Sequence, residues 1–224
     1  MSTANEFLWD FHGPLLLQRL GETLYMVGTT LLIGGVLGLL LGLSLYTTRR
    51  GGLLANRAVF TVLNLAVNIV RPIPFIILLV AIKPLTLLLA GSTIGSTSMI
   101  VPLSIAATFG FSRIVEQNLV SIDPGVIEAA RATGASRWRI VATLLVPEAL
   151  GPLILGFTFL VVALVDMSAV AGIVAGGGLG DFALQYGYKR WNSTVTWVTV
   201  GVIILIVQIA QAGGNRLSRR VLRR

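Results

Sequence analysis

The sequence predicts an all-α integral membrane protein with five transmembrane helices, its N-terminus outside and its C-terminus inside. Three observations carry that prediction. Of 224 residues, 55% are hydrophobic and only 12% charged, with a mean hydropathy of +0.88; soluble domains average roughly 45–50% apolar and 25% charged. The excess is aliphatic and glycine, because aromatics are an ordinary 8%, and that is the make-up of helices in lipid. Apolar stretches recur along the chain, and most of the basic residues between them fall on one side. At about 20 residues per crossing, the chain has room for five or six helices and none for a separate catalytic domain.

The elements follow in order. Residues 1–19 form an N-terminal segment outside the membrane; they lack a basic stretch followed by a short apolar one, so the first span serves as an uncleaved targeting signal. That span, about 24–45, carries Gly34, Gly38 and Gly42 on one helix face, where another backbone can approach. The approaching backbone belongs either to the same chain or to another subunit. A basic turn, Arg49-Arg50-Gly51-Gly52, ends it. The second span, about 59–82, contains Asn64, Asn68, Arg71, Pro72 and Pro74. The prolines threaten its continuity unless neighbours satisfy the freed backbone, and Arg71 is expected at the kink, facing inward, either in a structural ion pair or in a transport role. The third span, about 99–115, is the least apolar, with Ser98, Pro102, Ser104 and Thr108, and Arg113 and Glu116 at its end lie one turn apart and can pair. The fourth, about 150–174, holds the lone Asp166, and the fifth is about 194–212. A basic tail, 215–224, is a cytoplasmic anchor against anionic lipid.

Charge fixes the number of spans and their orientation. With five, Arg49, Arg50, Arg57, Arg113, Arg131, Arg137, Arg139 and the five tail arginines lie inside, which is 12 of 17 basic residues. Arg19, Lys83, Lys189 and Arg190 lie outside, and Arg71 lies within a span. Without the third span, either the first basic turn or the tail would fall outside, against the positive-inside rule. The same scattering of basic residues among loops argues against nucleic-acid binding. Trp9, Trp191 and Trp197 fall near outer span ends, as an interfacial belt requires. The chain has no cysteine and one histidine, His12, so a metal centre is not expected.

The inside segment, about 116–149, is the most informative. Asp123 caps a helix with Pro124 in its first turn. Ala129, Ala130 and Ala132 favour helix, and Gly134 suits a stop. Ser136 caps a second helix, which Pro147 is expected to end. A small-residue helix between two spans suits a groove in a soluble partner. The run Glu128-Ala129-Ala130, Gly134 and Leu144-Leu145-Val146-Pro147 resembles the Glu-Ala-Ala loop of ATP-binding-cassette importer permeases, with Leu144 and Val146 as conservative departures. Residues 68–79 (Asn68 to Leu79), together with Gly177-Gly178-Leu179-Gly180 and Tyr186-Gly187-Tyr188, resemble permeases for methionine, and the likeness covers about residues 20–220 in register with five spans.

That resemblance implies a type I importer permease fold over 20–214, with a homodimer enclosing a path. It implies a separate ATP-binding subunit docked on the loop through Glu128, Ala129, Ala130, Gly134, Leu144 and Pro147, and a periplasmic or lipoprotein substrate-binding protein. It places the chain in the bacterial inner membrane. No cofactor is expected in this chain: it has no Gly-x-x-x-x-Gly-Lys-Ser/Thr phosphate loop, so ATP and Mg belong to the partner. Where Asp166, Met167 and Val170 stand, the family usually has Gly, Tyr and Met; with Arg71 they are candidates for the path or gate. Asp166 either hydrogen-bonds to Ser168 or a neighbouring span, or lines the path and attracts a substrate ammonium group. The segment 175–193 is expected as a flexible outer loop; its Gly-x-Gly-x-x-Ala match to a dinucleotide fingerprint has no βαβ unit around it. A permease for another amino acid or small peptide, or a non-transporting assembly subunit, is the alternative. An intramembrane enzyme lacks its catalytic pairs.

Overall fold

The computed structural model describes residues 6–222, and every regular element within them is helical. Residues 1–5, and Arg223 and Arg224 of the basic tail, lie outside the described residues. Four helices are long and apolar enough to cross a membrane, and five crossings result if one sharply bent pair counts as one.

The first helix, α1, runs unbroken over Trp9–Thr48, so the segment expected to precede the spans is already helical from Trp9 on. A widened turn at Leu31–Gly35 interrupts its register. Adjacent glycines there face different neighbours. A Cβ on Gly34 would lie 2.6 Å from the Ala107 Cβ, and one on Gly35 would lie 2.8 Å from the Phe157 ring. The stripe continues at Gly38, against the Thr108 carbonyl, and at Gly42, against the Ser112 carbonyl. The glycine face therefore packs within the chain, backbone to backbone.

The second span is not one helix. α2 (Arg57–Val70) and α3 (Phe75–Ala81) meet at 106°. Pro72 and Pro74 bring no N–H to that corner, so the ladder lapses between Val70 and Pro74. Arg71 sits on the bend, exposed on the surface of the chain. A short helix, α4 (Lys83–Ala90), then leads to α5 (Ser96–Val120).

The least apolar span, α5, is the most deeply buried of the long helices. Ser98, Ser104 and Ser112 are buried within the chain: the Ser98 hydroxyl donates to the Ile94 carbonyl just before the helix, Thr108 to Ser104 and Ser112 to Phe109 within it, and the Ser104 hydroxyl has no partner among the described residues. At its far end, Arg113 pairs with Glu116 and donates to both Asn64 and Asn68, which lie one turn apart on α2. The pairing expected along α5 is thus half of a cluster that ties α2 to α5.

After a short exposed helix, α6 (Pro124–Ala132), the chain enters α7 (Arg137–Val174). Pro147 does not end a helix here. Its ring would collide with the carbonyl of Thr143, four residues back, but the turn Val141–Leu145 is widened and carries that carbonyl aside. The helix continues through. A five-residue helix, α8 (Gly178–Phe182), and a widened turn, Ala183–Tyr188, precede α9 (Ser193–Leu222). The basic tail is the end of α9 as far as Leu222. It packs on α7, where the Ser218 hydroxyl donates to the Gly151 carbonyl at 3.2 Å.

The close approaches give the directions. Gly34, Gly38 and Gly42 meet positions rising along α5, so α1 and α5 run the same way. Asn118 donates to the Pro152 carbonyl at the end of α5 nearer α6, and Gly176 lies against Met99 near its start, so α7 runs opposite. α9 reverses again, with Gly214 against Thr158. The bent pair must therefore carry the chain back across, and the described termini lie at opposite ends of the bundle. An odd number of crossings follows.

Candidate functional site

At one end of the bundle α6 stands out with no buried residue of its own. Its ends are fixed locally. The Asp123 carboxylate accepts from the Gly125 N–H at 2.7 Å, and Pro124 needs no donor. At the other end the Ala135 N–H reaches the Ala130 carbonyl and the Gly134 N–H reaches Arg131, with Gly134 at φ +76°. That is a Schellman stop, and it requires the left-handed residue that glycine supplies. The Ser136 hydroxyl accepts from the Arg139 N–H and starts α7 at once. Ile127 and Ala130 turn inward and pack against the core, leaving Glu128 and Ala129 exposed. A rigid, short, small-faced knob results.

Leu144 and Pro147 belong to a different place. They lie seven and ten residues into α7, about 10–15 Å along its axis from Arg137, with Leu144 half-buried and Pro147 exposed. They shape the stem of the knob rather than its surface. Sequence reasoning passed over the second wall of the site. The turn after α1 folds back through Leu54 N–H to the Thr47 carbonyl at 2.9 Å, and it buries Leu53 beneath α6. A small cavity of about 120 Å³ between turn and knob is lined by Tyr46, Arg49, Leu53, Ile127, Glu128 and Arg131. The Arg49 guanidinium lies 4.2 Å over the Tyr46 ring. The Gly51-Gly52 pair after two arginines was the available signal.

Of the candidate path residues, Asp166 is exposed on the face of α7 and Met167 and Val170 are half-buried. The expected Ser168 bond is not made: the Ser168 hydroxyl donates to the Val165 carbonyl at 2.7 Å. Met167 packs against the main core. Arg71 and Asp166 each present their charge on the surface of the single chain.

The segment expected as a flexible outer loop is packed. Gly180 and Gly172 let α8 lie directly on the end of α7, since a Cβ at Gly180 would fall 2.1 Å from the Ala169 carbonyl. Of the two glycines in the fingerprint-like match, Gly180 serves this backbone contact, and Gly178, at φ +75°, lies against Thr23 on α1. The N-terminus of α8 is capped from α1: Glu22 accepts from the Gly178 N–H at 2.7 Å, and Thr23 from Leu179 at 2.9 Å. Arg19 bridges Glu22 at 2.9 Å and Asp181 at 3.2 Å. His12 is buried beside Phe182 and Tyr186 and accepts from the Leu8 N–H, as a core histidine.

Long apolar helices around a buried polar centre, with a capped knob projecting at one end, define a multi-pass membrane protein. The chain belongs to the family of binding-protein-dependent transport system inner membrane components, whose model matches residues 27–223. It is 44% identical over 210 residues to a probable D-methionine transport system permease protein of Vibrio cholerae, covering 94% of this chain and 93% of that one. It is 42% identical to the corresponding protein of Pasteurella multocida, over 95% of this chain and 96% of that one. Among solved structures, an inward-facing MetNI methionine ABC transporter superposes with a TM-score of 0.91 at 40% identity, covering 94% of this chain and 97% of that chain.

Proposed function

We propose that this chain is the permease subunit of an ATP-driven importer that carries an amino acid, methionine first, across the bacterial inner membrane. The observation that carries the proposal is α6: an exposed helix, fixed at both ends, joined at one end to α5 and at the other to α7. Two copies of the chain enclose the path, with N-termini outside and C-termini inside, as the loop charges require. Each α6 docks on an ATP-binding subunit that holds the nucleotide and its magnesium. A substrate-binding protein delivers cargo at the opposite end.

The coupling is mechanical. α5 and α7 are locked together by the Asn118–Pro152 bond and by the Phe111–Phe157 ring pair at 5.7 Å. A displacement of α6 by the closing ATPase therefore moves both helices as a unit, and their far ends open or close the path. The Glu128 and Ala129 surface supplies the docking face, and Leu144 and Pro147 the stem. An unpaired carboxylate facing hydrocarbon is expensive, so the Asp166 face of α7 turns toward the path, where it attracts a substrate ammonium group. Arg71, Met167 and Val170 belong to the same lining. The test is ATP-dependent uptake of labelled methionine by vesicles holding the chain with its ATPase and binding protein. Competition by other amino acids and short peptides decides between methionine and the alternative cargoes.

A further inference from the structure

The end of the bundle opposite α6 holds a cavity that the coupling mechanism does not use. It has about 230 Å³ and lies where α3, α4, the start of α5 and the end of α7 converge. Leu79, Met99 and Val174 form its apolar walls, and Lys83, Thr86 and Thr93 its polar side. No acidic side chain lines it. Among the described residues Lys83 makes no ion pair, and the Thr86 hydroxyl is occupied by the Ile82 carbonyl. Lys83 is therefore the one charged residue among those that line the space. At about 30 Å³ per water, the cavity has room for roughly seven or eight waters, the scale of one small amino acid.

Its floor is part of the moving machinery. The Gly95 N–H donates to the Ala175 carbonyl at 3.0 Å, which joins the start of α5 to the end of α7. Ala175 itself is held at φ +59°, a conformation a non-glycine residue adopts rarely. Because α5 and α7 move as a unit, their movement against α3 and α4 reshapes this cavity.

We propose that this cavity is the receiving site for cargo at the outer end of the path. The Lys83 ammonium binds the α-carboxylate of an amino acid, and Leu79, Met99 and Val174 hold its unbranched apolar side chain. The proposal rests on the importer reading and names the residues that would select its substrate. Asp166 is a separate station: it does not line this cavity and lies eight residues from Val174 on α7, about 12 Å along the axis.

The experiment uses vesicles holding the full complex with its ATPase and binding protein, and it measures methionine uptake against the concentration of loaded binding protein. Lys83→Met is expected to raise the half-saturating concentration about tenfold or more, the loss of one charge-assisted hydrogen bond, and Lys83→Arg to stay near the parent. Val80→Trp narrows the cavity from an exposed position and is expected to raise it likewise, which keeps the test available if Lys83→Met fails to assemble. Parent uptake with both Lys83→Met and Val80→Trp within twofold of it would overturn the receiving site alone. No ATP-dependent methionine uptake by the parent would overturn the importer reading, and the receiving site with it.

Discussion

Replacing Gly42 by alanine asks whether the glycine face of α1 is a backbone contact. The added Cβ would sit 2.5 Å from the Ser112 carbonyl oxygen and 2.6 Å from the Val115 Cβ, where ordinary contacts begin at 3.4 Å. The shortfall is 0.9 Å (3.4 minus 2.5), and one of the two obstacles is backbone, which cannot rotate away. α1 and α5 must part by roughly that distance, and overpacking of this kind costs about 1–3 kcal/mol. Alanine returns up to ~1 kcal/mol of helix propensity, so a net loss of about 1–2 kcal/mol is expected, a factor of roughly 5–30 in the folding equilibrium. Gly28, in the same helix, has nothing within 4 Å of its added Cβ and provides the control. The measurement is sodium dodecyl sulfate unfolding of the purified chain in mixed micelles, followed by circular dichroism. Gly28→Ala is expected to be neutral or stabilising and Gly42→Ala destabilising. Equal stability of the two variants would refute the close approach of α1 and α5.

Three further predictions address the two ends of the bundle and the path. Glu22→Ala removes the acceptor of the Gly178 N–H and one partner of Arg19; because that carboxylate is a quarter exposed, a loss of about 1.5 kcal/mol is expected, read as faster proteolysis within 176–188, and an unchanged cleavage rate would remove the clasp. Gly134→Trp forces a bulky residue into a left-handed stop with open space around it, so helicity should persist while uptake is lost and ATP hydrolysis continues uncoupled; normal uptake would count against docking through α6. Asp166→Gly should weaken methionine uptake without lowering the stability of the chain, and undiminished uptake would exclude the carboxylate from the path.

Much of the α6 site was legible because it is local. Asp123 before Pro124, Gly134 and Ser136 each act on backbone groups within five residues, so spacing alone located the caps. The count of crossings was legible for a similar reason, since loop charge responds to the membrane rather than to the fold. The bend at Arg71–Pro74 was only half legible. Two prolines announce a break, but its 106° depends on what α3 and α4 pack against. Pro147 misled because a proline stops a helix only if the preceding turn keeps its normal width, and the widened turn at Val141–Leu145 has no signature in composition.

The outer clasp could not be read from the chain, because Glu22 and Gly178 lie 156 positions apart and pattern reasoning sees only near neighbours. The same holds for Asn64 and Asn68 against Arg113, separated by 49 and 45 positions. The sequence by itself determined the solvent, the number of crossings, the orientation expected of them and the capped helix that projects. Hydropathy, charge and capping are properties of single residues and their immediate neighbours. Tertiary structure alone decided which faces meet: that the most polar span is the central one, and that the glycines of α1 face α5. It also decided that the glycine-rich segment near Gly178 is clasped shut. Those outcomes depend on how helices distant in sequence divide a limited buried surface, and no local pattern encodes that division.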